Sequence, residues 1–222
     1  MRVALVNPAW TFEGSIYFGC REAHLPLELG YSKAMLERNG HEVVMLDGLL
    51  EQSSNEAMAE QVAAFAAELT MVVTAPSYLF WRCPPPELRV PADFLQRLAG
   101  RGGRTVIAGP HPSITPGPAL AKTHADLAII GECEEVITAL ADNGASAVAH
   151  TAERSGAGRV RCRDGPHASR FADHPVLVWP DRWVRRHNHH HHRFERPPEG
   201  PGAEVEASRG CPYACTFCAK LA

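Results

Sequence analysis

Three cysteines near the C-terminus, Cys211, Cys215 and Cys218, form a CxxxCxxC pattern inside the stretch Glu206 to Ala222. Thiolates are soft donors, and at this spacing a single loop can curl to bring all three to one metal centre. Three sulfurs fill three corners of an iron–sulfur cube and leave its fourth iron without a nearby protein ligand, open to a small molecule. That arrangement suits catalysis better than electron storage. Two other readings fit the same residues: three unrelated buried cysteines, or half of a zinc site. A structural zinc usually takes four ligands in CxxC-type pairs. No obvious fourth donor follows Cys218, although the histidines at 187–192 could supply one from upstream. Arg209-Gly210 precede the first thiol, and Phe217 stands immediately before the last.

A loop of this kind needs a scaffold, and the chain has enough length for one ordinary domain and something smaller at 222 residues. An apolar fraction of 45% is that of a globular protein with a core. The net charge of −3 argues against a nucleic-acid surface driven by bulk electrostatics. The apolar run at the start of MRVALVNPAW is too brief for a signal peptide. No segment approaches the roughly eighteen apolar residues of a membrane span. The other four cysteines (Cys20, Cys83, Cys133, Cys162) have no regular spacing. A reducing cytoplasm, where thiols serve metals rather than disulfides, is the expected compartment.

Residues 1–142 alternate strand and helix. Strands are expected at Val3–Val6, His41–Leu46, Met71–Ala75, Thr105–Ala108 and Leu127–Ile130, and helices at Leu25–Asn39, Asn55–Leu69, Pro91–Gly100 and Glu132–Ala141. Asn55 is the expected N-cap of the second helix. The pattern predicts an α/β fold, a doubly wound five-stranded parallel sheet of flavodoxin-like type in the order 2-1-3-4-5. Such a sheet binds ligands at the carboxyl ends of its strands, beside the switch point between strands one and three. The loops at Asn7–Gly19, Ala75–Arg82, Gly109–Ser113 and Gly131–Glu134 form that rim. There is no GxGxxG after strand one and no GxxxxGK[ST], so neither a dinucleotide nor a P-loop nucleotide is expected.

Residues 143–205 are less regular. Ala145–Gly165 reads as a connector with one hairpin, and Pro175–Trp179 as a short strand. Asp181 is expected to cap a helix running through Trp183 into the tract His187-Asn188-His189-His190-His191-His192. Adjacent histidines on a helix point in different directions, so the tract cannot put four ligands on one metal. It is read as a polar segment with local packing roles. The run RPPEGPG, Arg196 to Gly202, is a turn-rich linker. Ala203–Ser208 reads as the first strand of a new domain that delivers the cysteine loop.

The CxxxCxxC loop with its aromatic resembles the cluster loop of the radical S-adenosylmethionine (SAM) superfamily. That resemblance implies that Cys211, Cys215 and Cys218 hold a 4Fe-4S cluster, that SAM chelates the open iron, and that Phe217 lies near the adenine. Upstream, Asn7-Pro8, the run LPLELGY from Leu25 to Tyr31, Gly109-Pro110-His111-Pro112 and Gly131-Glu132 resemble, in this order, the N-terminal halves of cobalamin-binding radical SAM proteins. Ser77-Tyr78-Leu79, with Gly109 thirty-two positions after Ser77, resembles the SxL and Gly-Gly signatures of cobalamin-binding domains, Ala108 standing for the first glycine. In those domains the serine meets the buried nucleotide tail and the glycine admits it. The resemblance thus implies cobalamin contacts from Asn7, Ser77, Tyr78, Leu79, Gly109, Pro110, His111, Gly131 and Glu132. The chain has no DxHxxG, so no histidine from that motif would ligate cobalt, and His24 and His111 lie near the rim.

The implied division is a cobalamin-binding domain at 1–142, a linker at 143–205 and the start of a radical SAM barrel at 206–222. The implied activity is reductive SAM cleavage to a 5′-deoxyadenosyl radical, with methyl transfer to an unactivated position as the commonest outcome. An external electron donor such as flavodoxin or ferredoxin would be needed, and the substrate, small molecule or peptide, is not visible. The resemblance implies further barrel strands after the loop, so the chain is expected to be the N-terminal piece of a longer enzyme or a naturally shortened relative, with residues 206–222 poorly ordered and inert by themselves. The rivals are a non-catalytic corrinoid-binding module with a vestigial cysteine tail, and a flavodoxin-like domain with a zinc-binding tail.

Overall fold

Val3, Ala4, Leu5 and Val6 are apolar without interruption and wholly buried. A strand built this way must be covered on both faces. In the computed structural model, which describes residues 1–16, 23–76, 85, 87–156, 159–165 and 176–187, they lie in β1 (Arg2–Asn7). Successive side chains of a strand point to opposite faces. Val3 and Leu5 accordingly join one core cluster with Leu29, Leu36, Met71, Ile137 and Leu140. Ala4 and Val6 join the other, with Met58, Val62, Phe94, Leu98 and Leu120.

The remaining elements follow in alternation: α1 (Leu27–Arg38), β2 (Glu42–Asp47), α2 (Asn55–Phe65), β3 (Leu69–Val73), α3 (Arg89–Leu98), β4 (Arg104–Ala108), α4 (Pro110–Ile114), α5 (Pro116–Thr123), β5 (Leu127–Ile129), α6 (Glu134–Asp142), β6 (Thr151–Ser155), β7 (Arg159–Arg163) and α7 (Asp181–Arg186). The strands form one sheet in the order β2-β1-β3-β4-β5-β6-β7. The first five are parallel to one another. Helices α1 and α6 lie side by side on one face, and α2, α3 and α5 on the other. The chain leaves β1 for β2 on one side and reaches β3 on the other, so the rim between β1 and β3 is the switch point. Among the described residues no helix is long and apolar enough to cross a membrane.

The structure corrects several sequence expectations. The sheet has seven strands, not five, because the hairpin expected within Ala145–Gly165 pairs with β5 and adds β6 and β7 antiparallel. Its membership rests on long-range pairing, such as Ala128 opposite Ala152, which no local pattern announces. The second helix ends at Phe65 rather than Leu69, with Ala66 in the left-handed conformation (φ 52°), because Leu69 is already paired in β3. Its N-cap is Ser54, not Asn55. Ser54 is extended, and its hydroxyl accepts from the Ala57 N–H at 3.2 Å. The loop expected at Gly109–Ser113 becomes a short helix, α4, from Pro110 on, with Gly109 at its cap position. Val176–Trp179 forms no strand, and Val176 and Val178 are exposed. Asp181 is the first residue of α7, with Pro180 preceding it at the cap position, and the helix stops at Arg186. The tract from Asn188 onward lies outside the described residues.

Helix α7 folds back on the sheet domain. Trp183 is fully buried against Leu25 and Leu50, and its Nε1–H donates to Glu51 at 3.3 Å. Arg182 pairs with the same carboxylate, and Arg186 donates to the Leu50 carbonyl at 2.8 Å. Trp179 stacks on Trp183 with ring centroids 6.2 Å apart and lies against Gly30, where an added Cβ would come within 2.4 Å of the ring.

Candidate functional site

Every helix that follows a strand of a parallel sheet begins at the same rim, so first-turn residues of different helices converge there. A cleft at this rim lies beyond the ends of β3 and β4, between the starts of α1 and α6. Its walls include Glu28 from α1, Ala75-Pro76 after β3, Gly109-Pro110 after β4, and Gly131 through Glu134 before and in α6. The free space is about 40 Å³, room for a few waters or the edge of a larger ligand. Glu28, Glu132 and Glu134 supply carboxylates, and no basic side chain lines the cleft among the described residues. The lining is therefore acidic in composition and suits an anionic phosphate poorly.

Gly109 is the conformational key of the cleft. Its φ of 115° and ψ of −162° fall in a region open essentially to glycine alone. An added Cβ would also stand 2.9 Å from Thr74 Oγ1. Thr74 is itself fixed, since both its N–H and its hydroxyl donate to the Ala108 carbonyl, at 2.9 and 3.0 Å. Ser113 then ties two rim loops together. Its hydroxyl donates to the Gly109 carbonyl at 2.7 Å and accepts from the Gly131 N–H at 3.0 Å.

Of the residues expected at a ligand, Gly109, Pro110, Gly131 and Glu132 line this cleft together. His111 does not. Its Nε2–H donates to the Pro85 carbonyl at 2.9 Å. Burial lowers the pKa of His111, and the carbonyls of Pro85 and Thr74 oppose it only in part. His24 is buried.

Asn7 is also buried, and its amide is used within the fold. Nδ2 donates to Asp47 Oδ2 at 2.6 Å, and Oδ1 accepts from Trp10 Nε1 at 2.6 Å. Asp47 Oδ1 accepts the N–H groups of Leu49 and Leu50 at 3.0 and 2.8 Å. Burial raises Asp47 from 3.8 to about 6 against these hydrogen bonds. Next to it Asn55 accepts from the Ala9 N–H at 2.8 Å and donates to Asp93 at 2.8 Å, which pins the start of the β1–α1 loop. Arg89 holds the same loop further on, through Thr11 and the Glu13 carbonyl. Ser77, Tyr78, Leu79, Cys211, Cys215, Cys218 and Phe217 lie outside the described residues.

Sequence reasoning passed over Glu28, Thr74, Ser113, Cys133 and Glu134 as individual site residues. Glu28 and Glu134 had a signal, as acidic residues in the first turns of helices that start at the rim. Thr74 and Ser113 had none, because their roles are contacts between separate loops.

No protein-family profile and no curated protein sequence matches the chain. Solved structures do. The chain is similar to the radical SAM methyltransferase TsrM from Kitasatospora setae, solved with cobalamin and a [4Fe-4S] cluster bound, at a TM-score of 0.57 and 18% identity over 78% of this chain and 30% of that one. It is similar also to the cobalamin-dependent SAM radical enzyme OxsB, solved with aqua-cobalamin and SAM bound, at a TM-score of 0.61 and 13% identity over 79% of this chain and 24% of that one. The chain thus spans under a third of the length of these enzymes. At such identities the likeness is one of fold: this chain has the α/β fold of a portion of two enzymes that bind cobalamin.

Proposed function

We propose that the sheet domain binds a corrinoid at the rim cleft, and that Cys211, Cys215 and Cys218 hold a 4Fe-4S cluster to which SAM binds, as part of a cobalamin-dependent radical SAM enzyme acting as a methyltransferase. The observation that carries this reading is the coincidence of two independent features. A sheet with the fold of cobalamin-binding enzymes has its glycine-kinked cleft at the carboxyl-end rim, beyond β3 and β4, and the same chain carries a CxxxCxxC loop.

The residues fit the groups they would hold. At Gly109 the backbone itself forms the cleft wall in a conformation closed to other residues, so a ligand can approach the main chain. Three thiolates are the donor set of a site-differentiated iron–sulfur cube. When bound, cluster and corrin supply the radical and methyl chemistry, and the protein supplies placement. In that division Gly109 admits the ligand edge, Ser113 holds the Gly109 and Gly131 loops at a fixed separation, and Arg89 and Asn55 hold the β1–α1 loop. Residues 1–142, with the hairpin β6–β7 that extends their sheet, form the corrinoid unit, 206–222 begin the barrel that surrounds the cluster, and an external one-electron donor serves it.

The test is anaerobic reconstitution with iron, sulfide and hydroxocobalamin, followed by absorption spectra and metal analysis. The proposal expects corrin bands that persist when all three cysteines become alanine, and iron–sulfur bands that vanish in that variant. Zinc without iron or acid-labile sulfide, or no corrinoid uptake at micromolar concentration, defeats it.

A further inference from the structure

The last strand of the sheet carries chemistry that the corrinoid and cluster reading does not use. β7 lies at the edge of the sheet and pairs with β6 on one side only, among the described residues. An edge strand presents every second N–H and C=O outward. Arg159, Arg161 and Arg163 alternate along it, so they project to one face at intervals of about 6.8 Å. Val160 takes the opposite face and packs on the core beside α5.

One carboxylate serves this basic face. Glu153, opposite Arg161 on β6, accepts from Arg163 Nη2 at 2.7 Å and lies 3.5 Å from Arg104 Nη2. Its pKa is lowered, first by the Arg163 hydrogen bond and then by the charges of Arg163, Arg104 and Arg161. Arg159 and Arg161 are exposed, and Arg163 Nη1 is buried without an acceptor. Three guanidinium groups, those of Arg104, Arg161 and Arg163, thus act on the Glu153 carboxylate, and Arg159 extends the basic row along the strand, with Asp164 just past it, in a chain whose net charge is −3.

We propose that β7 is a docking edge for an acidic, strand-forming segment of a partner protein, whose alternate carboxylates pair with Arg159, Arg161 and Arg163. The charge pattern excludes a second copy of the same edge, since two arginine ladders repel each other. The backbone groups that no described residue pairs are matched by a peptide main chain, which gives the affinity of strand addition while alternate side chains give its specificity. A nucleic acid could use the charge but not the backbone edge, and β7 has no aromatic side chain for a base to stack on.

The experiment uses the full chain and a fluorescein-labelled peptide in which glutamate alternates with valine or threonine, followed by anisotropy at low salt. Saturable binding is expected, weakening as salt rises. The double variant Arg159→Glu/Arg161→Glu, checked as folded by circular dichroism at the assay temperature, should bind at least about tenfold more weakly. A peptide of the same charge interrupted by prolines, which cannot form a strand, should lose a similar factor. The inference is overturned if the proline peptide or the arginine-reversed variant binds as tightly as its parent. It is overturned equally if a single-stranded oligonucleotide binds more tightly than the peptide, or if no binding is seen. None of these outcomes depends on corrinoid or cluster loading.

Discussion

Replacing Gly109 by alanine perturbs the cleft at its least tolerant point. The conformation at φ 115° and ψ −162° costs a residue with a Cβ about 1–3 kcal/mol. The methyl group would also sit 2.9 Å from Thr74 Oγ1, closer than real Cβ contacts come. Relief requires Thr74 to swing away and give up its 3.0 Å hydrogen bond to Ala108, worth about 0.5–1.5 kcal/mol net. The two effects together predict a loss of about 2–4 kcal/mol for Gly109→Ala. For a domain of this size that lowers the melting temperature by roughly 5–15 °C.

Circular-dichroism melts and urea titrations of the single variants Gly109→Ala and Thr74→Ala and of the double variant separate the two effects. Thr74→Ala removes the oxygen that the methyl group would meet but leaves the backbone strain. The double variant should therefore be less destabilised than the sum of the singles, yet still at least about 1 kcal/mol below Thr74→Ala alone. A loss under about 0.5 kcal/mol for Gly109→Ala would refute the account of this turn. Complete recovery in the double variant would refute the backbone part of it.

Ser113→Ala removes the hydroxyl that joins the Gly109 and Gly131 loops. Two neutral hydrogen bonds predict about 1–3 kcal/mol, read as faster amide exchange at Gly131 and a weaker corrinoid titration, with Ser113→Thr closer to the parent. Asp47, raised to about 6 in the folded protein, binds more protons folded than unfolded between about pH 4 and 6. Its contribution to stability is therefore full below its unfolded pKa and lost as pH rises through about 6, by about 3 kcal/mol for a shift of about two units. Chemical denaturation from pH 4 to 7 should show this component in the parent and lack it in Asp47→Asn, and parallel curves would count against it.

The sequence alone determined the alternation of strands and helices through residue 142. Uninterrupted apolar runs such as Val3–Val6 can be covered on both faces only by helices. It also placed Gly109, Pro110, Gly131 and Glu132 at one rim, since loops after successive parallel strands share an edge. The cysteine spacing could be read without any coordinates, because ligand geometry within eight residues is a local property. Tertiary structure decided the rest. Asn7, at the right end of β1, is turned inward because Asp47 and Trp10 arrive beside it from other segments. The hairpin of β6 and β7 becomes part of the sheet only through β5, and α7 finds its seat only where Gly30 leaves room for Trp179. Local pattern reports which face of an element is apolar. Which partner covers that face, and which polar atoms meet there, depends on residues tens of positions away.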